Sequence, residues 1–198
     1  MTGTQRRRTT PTPDVPGTTY PARGERAPAV AYRYLDSPLG PLLLAGTPVG
    51  LLRVAFAVEG FETVLGELAQ SLGVSPFESG PRLGTTHALD EAAFAIDGYF
   101  GGDINAIEVP LDLRLLGGFA RSVADHLPTI GYGRTASYAE VASAIGQPTD
   151  IEAVGSACLS NPLPIVLPCH RVVPTSGSLG QYVGGPEAKR VLLALEVA

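Results

Sequence analysis

The run Asn161–Val173, NPLPIVLPCHRVV, sets Cys169 and His170 side by side between Pro168 and Arg171. Thiolate is the attacking form of cysteine, and an adjacent imidazole can take its proton or stabilise its charge. The pair is therefore the smallest set that makes a soft nucleophile. The prolines and β-branched residues around it predict strand and turn rather than helix. Pro168 fixes φ just ahead of the thiol, so backbone geometry sets its position. The plainer alternative is a buried structural cysteine beside an ordinary histidine, and the surrounding elements decide between the two.

The elements leading into this run are helical. Phe119–Leu127 predicts a short helix. Ser137 opens a second, with Glu140 three residues on as a capping box and Gly146 as its stop. After Gln147–Pro148, Thr149 and Glu152 repeat the capping-box spacing, and the helix they open runs to about Ser160. Two helices joined by a short Gly/Pro turn have helix-turn-helix geometry, which presents its second helix to a DNA groove or serves as a plain packing motif. Val191–Leu195 predicts a last short helix that delivers Glu196 near the chain end.

Upstream, AYRYL, LLLAG and LLRVAF within Ala31–Phe56 are separated by turn sequences and predict a meander of three short antiparallel strands. Phe61–Leu72 and Ala88–Phe100 carry apolar residues at helical spacing and stop at Gly73 and Gly101. Val109–Leu116 reads as a linker strand and Gly117–Gly118 as a hinge. Residues 1–28 are rich in Thr, Pro, Gly and Arg and read as a disordered basic arm.

Composition excludes several classes. The formal charge of -5 gives no chain-wide signature of a nucleic-acid binder. The arm holds five Arg against Asp14 and Glu25, leaving 9 basic and 17 acidic residues in the rest. Net charge does not exclude a local docking face. Two cysteines, Cys158 and Cys169, make neither a secreted disulfide framework nor a metal-ligand spacing, so no metal is expected. No signal peptide and no membrane-spanning run is read, and a reduced cytoplasm is the expected compartment. Gly131–Gly133 is a turn and not a phosphate loop, because no Lys follows in the required order; VGSAC is not a nucleophile elbow.

Taken together, SPLGPLLLAGTPVGLLRVAF, YGRTASYAEVA, AVGSACLSNP, LPCHRVV and GSLGQYVGG with KRVLLALE resemble the alkylguanine-DNA alkyltransferases, over about Tyr34 to Glu196. The resemblance implies an α/β plus α architecture: the arm at 1–28, an RNase H-like amino-terminal domain with linker at 29–116, and a helical, winged helix-turn-helix-type alkyltransferase domain at 117–198. It implies a monomer that docks on alkylated double-stranded DNA, flips the damaged base into a pocket and takes the alkyl group irreversibly onto a cysteine. No cofactor is implied. Cys169 would be the nucleophile, His170 the base acting through a water, and Glu196 the carboxylate that holds the imidazole. Tyr138 would donate to a ring nitrogen of the leaving guanine, and Asn161 would brace the turn. Val172, Tyr182, Val183, Gly184, Pro164 and Cys158 would line or adjoin the guanine pocket. Ser137, Tyr138, Glu152, Gly155 and Ser156 would face DNA.

The chain departs from the family pattern at the start of the second helix of the helix-turn-helix. The family usually has a small residue and then Ala-Arg shortly ahead of the Val-Gly that corresponds to Val154–Gly155 here, and the Arg fills the gap left by the flipped base. This chain has Asp150-Ile151-Glu152-Ala153, so the finger position holds Glu152. Two acids there would repel phosphate, whereas near a helix start they are locally favourable. A DNA-blind alkyl acceptor or a lesion-binding protein of the same fold are the alternatives this raises. Cys158 stands where relatives have Asn or Met, and Ile130-Gly131-Tyr132-Gly133 replaces the usual Ile-Pro-Tyr-Gly. A cysteine hydrolase would need an oxyanion hole that the sequence does not place.

Overall fold

The structure, a computed structural model, describes residues 29–78 and 86–197; the basic arm lies outside them. Strands β1 (Ala31–Leu35), β2 (Leu42–Gly46) and β3 (Leu51–Phe56) form the expected antiparallel meander. A two-residue strand that the sequence did not suggest, β4 (Phe77–Glu78), adds parallel to β1 and gives the order β3-β2-β1-β4. Central β2, Leu-Leu-Leu-Ala-Gly, is buried along its whole length, because both faces of the sheet are covered. Leu43 and Ala45 pack with Val64 and Leu68 of α1 (Phe61–Leu72). Leu42 and Leu44 join Leu89 and Ile96 of α2 (Thr86–Gly101) on the opposite face. The period of two in the strand thus sorts one leucine run into two cores.

The α2-side core is continuous with the carboxy-terminal helices, so the two halves share one apolar interior. Edge strand β3 is covered by two chain segments. Leu51 N–H donates to Pro110 O and its carbonyl accepts from Asp112 N–H, both at 2.8 Å. Val54 N–H donates to Pro162 O at 2.8 Å. Covering the edge satisfies its backbone groups and ties the sheet to the loop that carries the thiol. A Cβ on Gly50 would stand 2.2 Å from Pro110 O, so only glycine admits the linker here. The expected linker strand reduces to one bridge, Leu51–Leu111; around it Val109–Leu116 is irregular, its backbone spent on β3.

The remaining helices are α3 (Gly118–His126), α4 (Tyr138–Ala144), α5 (Ile151–Leu159) and α6 (Gly185–Leu195). Short strands β5 (Ala136–Ser137) and β6 (Val172–Val173) pair in parallel and bring the start of α4 to the end of the Cys-His segment. The Ser137 capping box forms: its side chain accepts from Glu140 N–H, and Glu140 accepts from Ser137 N–H at 2.6 Å. The second predicted box does not. Asp150 N–H donates to Gln147 O, the chain enters α5 one residue later, and Glu152 falls one position short of the capping site. Thr149 Oγ1 bonds Asp150 Oδ1 instead, at 3.2 Å, and no side chain caps α5. Helix α6 begins at Gly185 rather than at Val191, because Pro186 in its first turn favours initiation there.

Candidate active site

The Cys169–Arg171 stretch is a single 3-10 turn, held at its entry by Pro168 with φ -76°. The segment before it is tightly fixed. Asn161 is buried, its Nδ2 donating to Leu167 O at 2.9 Å and to Cys169 Sγ at 3.1 Å. Its Oδ1 accepts from Leu163 N–H at 3.0 Å, so one amide spans the whole loop. From β3, Arg53 reaches back to Asn161 O at 3.3 Å and pairs with Glu59. Ile165 has φ +74°, a conformation a β-branched residue adopts only under constraint, at a cost of about 1–3 kcal/mol. The surrounding bonds hold that strain beside the thiol.

Burial pushes the Cys169 thiol up to about 11, against which the Asn161 bond and the Lys189 cation work in the opposite direction. Burial likewise pulls His170 below its ordinary value, with Glu196 opposing. At neutral pH the resting pair is therefore a neutral thiol beside a neutral imidazole. His170 Nε2 lies 2.8 Å from Glu196 Oε1. With Glu196 ionised, Nε2 carries the proton, which leaves the buried Nδ1 a lone pair with no partner among the described residues.

Glu196 is the most heavily bonded group of the site. Oε1 also accepts from Tyr99 Oη at 2.6 Å and from Arg171 Nη2 at 2.9 Å, and Oε2 accepts from Gly133 N–H at 3.0 Å. Burial alone would raise its carboxyl, but the bonds from His170, Arg171 and Tyr99 outweigh it and hold the group at about 2. Arg171 Nη1 continues to Ile130 O at 2.6 Å, and Tyr132 Oη donates to Leu195 O at 3.1 Å. The Ile130–Gly133 turn, read from sequence as a departure from the family pattern, is thus the cradle for the end of α6. Gly133 needs its φ of +68°, and a Cβ there would stand 2.8 Å from Glu196 O.

Tyr138, half-buried at the first position of α4, lies against Gly155 and Gly180; a Cβ on Gly180 would come within 2.9 Å of its hydroxyl. Its phenol is raised by burial and by the two cysteines. Tyr182 is buried, with its ring edge-on to His170 at 6.3 Å. Val172 is buried and its carbonyl accepts from the buried Lys189 Nζ at 2.6 Å. Val183 packs half-buried on the core, and Pro164 and Cys158 are buried. Gly184 precedes α6 flat against the Phe56 ring, where a Cβ would clash at 2.8 Å, and that ring stands edge-on to Tyr182 at 5.7 Å. On the outer face, Glu152 and Ser156 are exposed, and Ser156 Oγ donates to Glu152 O at 3.2 Å. Ser137 is engaged in its capping box.

The sequence reading missed Tyr99, Arg171, Gly133 and Lys189. Buried lysine and arginine are rare unless paired, but nothing in a single sequence marks these two as buried. No cluster of three or more metal-type ligands lies among the described residues.

Two family models cover most of the chain. The 6-O-methylguanine DNA methyltransferase ribonuclease-like domain matches residues 30–113, and the DNA binding domain of the same name matches 118–198. The methylated-DNA–protein-cysteine methyltransferase of Mycobacterium tuberculosis is 41% identical over 167 residues, 84% of this chain and 92% of that protein. The protein of that name from Methanosarcina acetivorans is 35% identical over 165 residues, 83% and 97% of the two chains. The crystal structure of the M. tuberculosis O6-methylguanine methyltransferase superposes with TM-score 0.70 at 39% identity, covering 84% of this chain and 92% of that one. A structure of the M. tuberculosis protein in complex with DNA gives 0.69 at 38% identity, with the same coverage. With both domains matched in order around one buried Cys-His-Glu set, the chain belongs to the 6-O-methylguanine DNA methyltransferase family.

Proposed function

We propose that the protein repairs alkylated guanine, and alkylated thymine, in duplex DNA by moving the alkyl group from the exocyclic oxygen to Cys169, once per molecule. The observation that carries this is the buried Cys169–His170–Glu196 set, with an imidazole nitrogen that has no partner among the described residues. In the step, His170 Nδ1 takes the thiol proton through a water, Sγ attacks the alkyl carbon, and the C–O bond breaks with its electrons passing into the ring. Tyr138 protonates the ring and is itself reprotonated from the His170 imidazolium, so the net proton goes from Cys169 to the departing base. Asn161 fixes Sγ by its 3.1 Å bond, and Tyr182, Val183 and the Val172 backbone would receive the base. On the same reading we place the protein in the cytoplasm as a monomer; among the described residues no helix is long and apolar enough to cross a membrane. The test is intact mass after incubation with duplex carrying O6-methylguanine, and separately with free O6-benzylguanine. One added alkyl group per chain supports the reading; many turnovers or none would refute it.

The helix-turn-helix α4–α5 would meet the duplex through Gly155, Ser156 and Ser137. Its first turn carries Asp150 and Glu152, both exposed, which favours a second reading: an alkyl acceptor with weakened DNA docking. Glu152→Arg should strengthen duplex binding and steepen its salt dependence by roughly 0.9 in log–log slope, the increment for one more neutralised phosphate. Because Glu152 makes no capping bond, the cost is only its favourable place at the helix start, about 0.3–1 kcal/mol. The free-base rate should stay nearly constant, so the ratio of duplex to free-base rates should rise. An unchanged affinity and ratio would mean that α5 does not meet DNA through this turn.

A further inference from the structure

Tyr99 belongs to α2, in the amino-terminal half of the chain, yet its hydroxyl lies 2.6 Å from Glu196 Oε1 and 3.4 Å from His170 Nε2. The side chain is 1% exposed. We propose that Tyr99 is a positioning residue that sets the basicity of His170, acting through the carboxylate oxygen the two share. This rests on the reading of His170 as the base.

An ionised carboxylate only accepts, so the Tyr99 O–H must be the donor. Each donor on Oε1 neutralises charge that would otherwise stabilise the imidazolium, so donation by Tyr99 weakens the hold of Glu196 on a charged His170. The phenol oxygen's own lone pairs act the other way, but 3.4 Å is beyond a good bond and 2.6 Å is a strong one, so donation wins. The result is an imidazole kept neutral, the form that can take the thiol proton. The other groups facing the ring are Arg171 from its own turn, Lys189 and Glu196 from α6 and its end, and Tyr182 edge-on. Arg171 and Lys189 oppose the imidazolium and Glu196 favours it. Tyr99 acts on that one favourable partner and carries no charge of its own. Packing does not account for the hydroxyl, because the edge-on contact of its ring with Tyr132 at 6.1 Å is open to phenylalanine as well. The amino-terminal domain thereby reaches the chemistry of the carboxy-terminal one.

The experiment follows the imidazole resonances of the full chain by NMR across pH, in wild type, in Tyr99→Phe, and in protein carrying 3-fluorotyrosine at position 99. His87 and His126 serve as internal references. Tyr99→Phe should move the His170 midpoint up by about half a pH unit or more, roughly a threefold gain in protonation at fixed pH. The acid limb of the rate with free O6-benzylguanine should move up in step. The fluorinated phenol, a stronger donor of nearly the same size, should move both down. A His170 midpoint that stays or falls in a folded Tyr99→Phe protein overturns the proposal and leaves Tyr99 an anchor. If that variant does not fold, the sign with fluorotyrosine decides, and an upward or absent shift overturns it. The titration is read without alkyl transfer, so failure of the repair reading shows separately, as no alkylation in any of the three proteins.

Discussion

Cys169→Ala is expected to abolish alkyl uptake from both duplex and free base, while Cys158→Ser still takes one alkyl group per chain. Both thiols are buried, so burial alone does not choose between them. The choice comes from neighbours. Cys169 accepts the Asn161 amide at 3.1 Å and is followed by the imidazole whose Nδ1 is unpaired among the described residues. Cys158 sits inside α5, where burial and the neighbouring Cys169 push its thiol up and only Lys189 counters them. A thiol without a base contributes a negligible thiolate fraction at neutral pH. The stability cost of Cys169→Ala should be small, about 1 kcal/mol, because the Asn161 amide keeps its bond to Leu167 O. Peptide mapping after alkylation checks the assignment. Alkyl on Cys158, or uptake by Cys169→Ala, would move the nucleophile elsewhere.

How far the sequence carried this picture depends on whether a signal was local. The meander, α1, α2 and the Ser137 box follow from periodicity and caps that operate within a few residues. The second capping box failed because the spacing was right but the turn Gln147–Asp150 shifted the helix start by one residue. Strand β4 is two residues long and exists only because β1 offers it an edge. The Cys-His pair was legible from adjacency, and Glu196 only through the family resemblance. Tyr99 had no such help. It occupies an ordinary apolar position in the stripe Leu89, Ala92, Ile96, Tyr99, and its partner lies 97 residues away. Gly133 looked like a turn glycine, and its N–H bond to Glu196 is a tertiary fact. Gly184 was assigned to the pocket by resemblance, and the Phe56 ring against it, supplied by the other domain, is a contact no local pattern announces.

Glu196→Gln is expected to lower both rate and stability, and the two losses have different origins. The rate falls roughly tenfold or more because a neutral amide no longer stabilises the imidazolium formed when His170 takes the thiol proton. The stability loss comes from Arg171. That guanidinium is almost fully buried, bonds both carboxylate oxygens through Nε at 3.0 Å, and in the variant faces only neutral acceptors, Ile130 O and the amide oxygen. Removing one partner of a buried ion pair costs about 3–5 kcal/mol, and Gln recovers part of it by accepting one bond. The pH dependence separates the terms. Glu196 is held at about 2 in the folded state against an ordinary 4.5, so its contribution is complete above 4.5 and is lost as pH falls toward 2. His170, lowered by burial, adds a loss that begins as pH falls through the unfolded imidazole's 6.5. Urea unfolding across pH should therefore show wild type weakening in two acid stages, and Glu196→Gln with a smaller lower one, left to carboxylates such as Asp112 that, against burial, the bonds from Arg114 and Thr47 hold below their ordinary value. A folded Glu196→Gln protein with wild-type rate would remove Glu196 from the mechanism. Wild-type stability at neutral pH would instead mean that Arg171 does not depend on the carboxylate, and the loss of activity would then report on His170 alone.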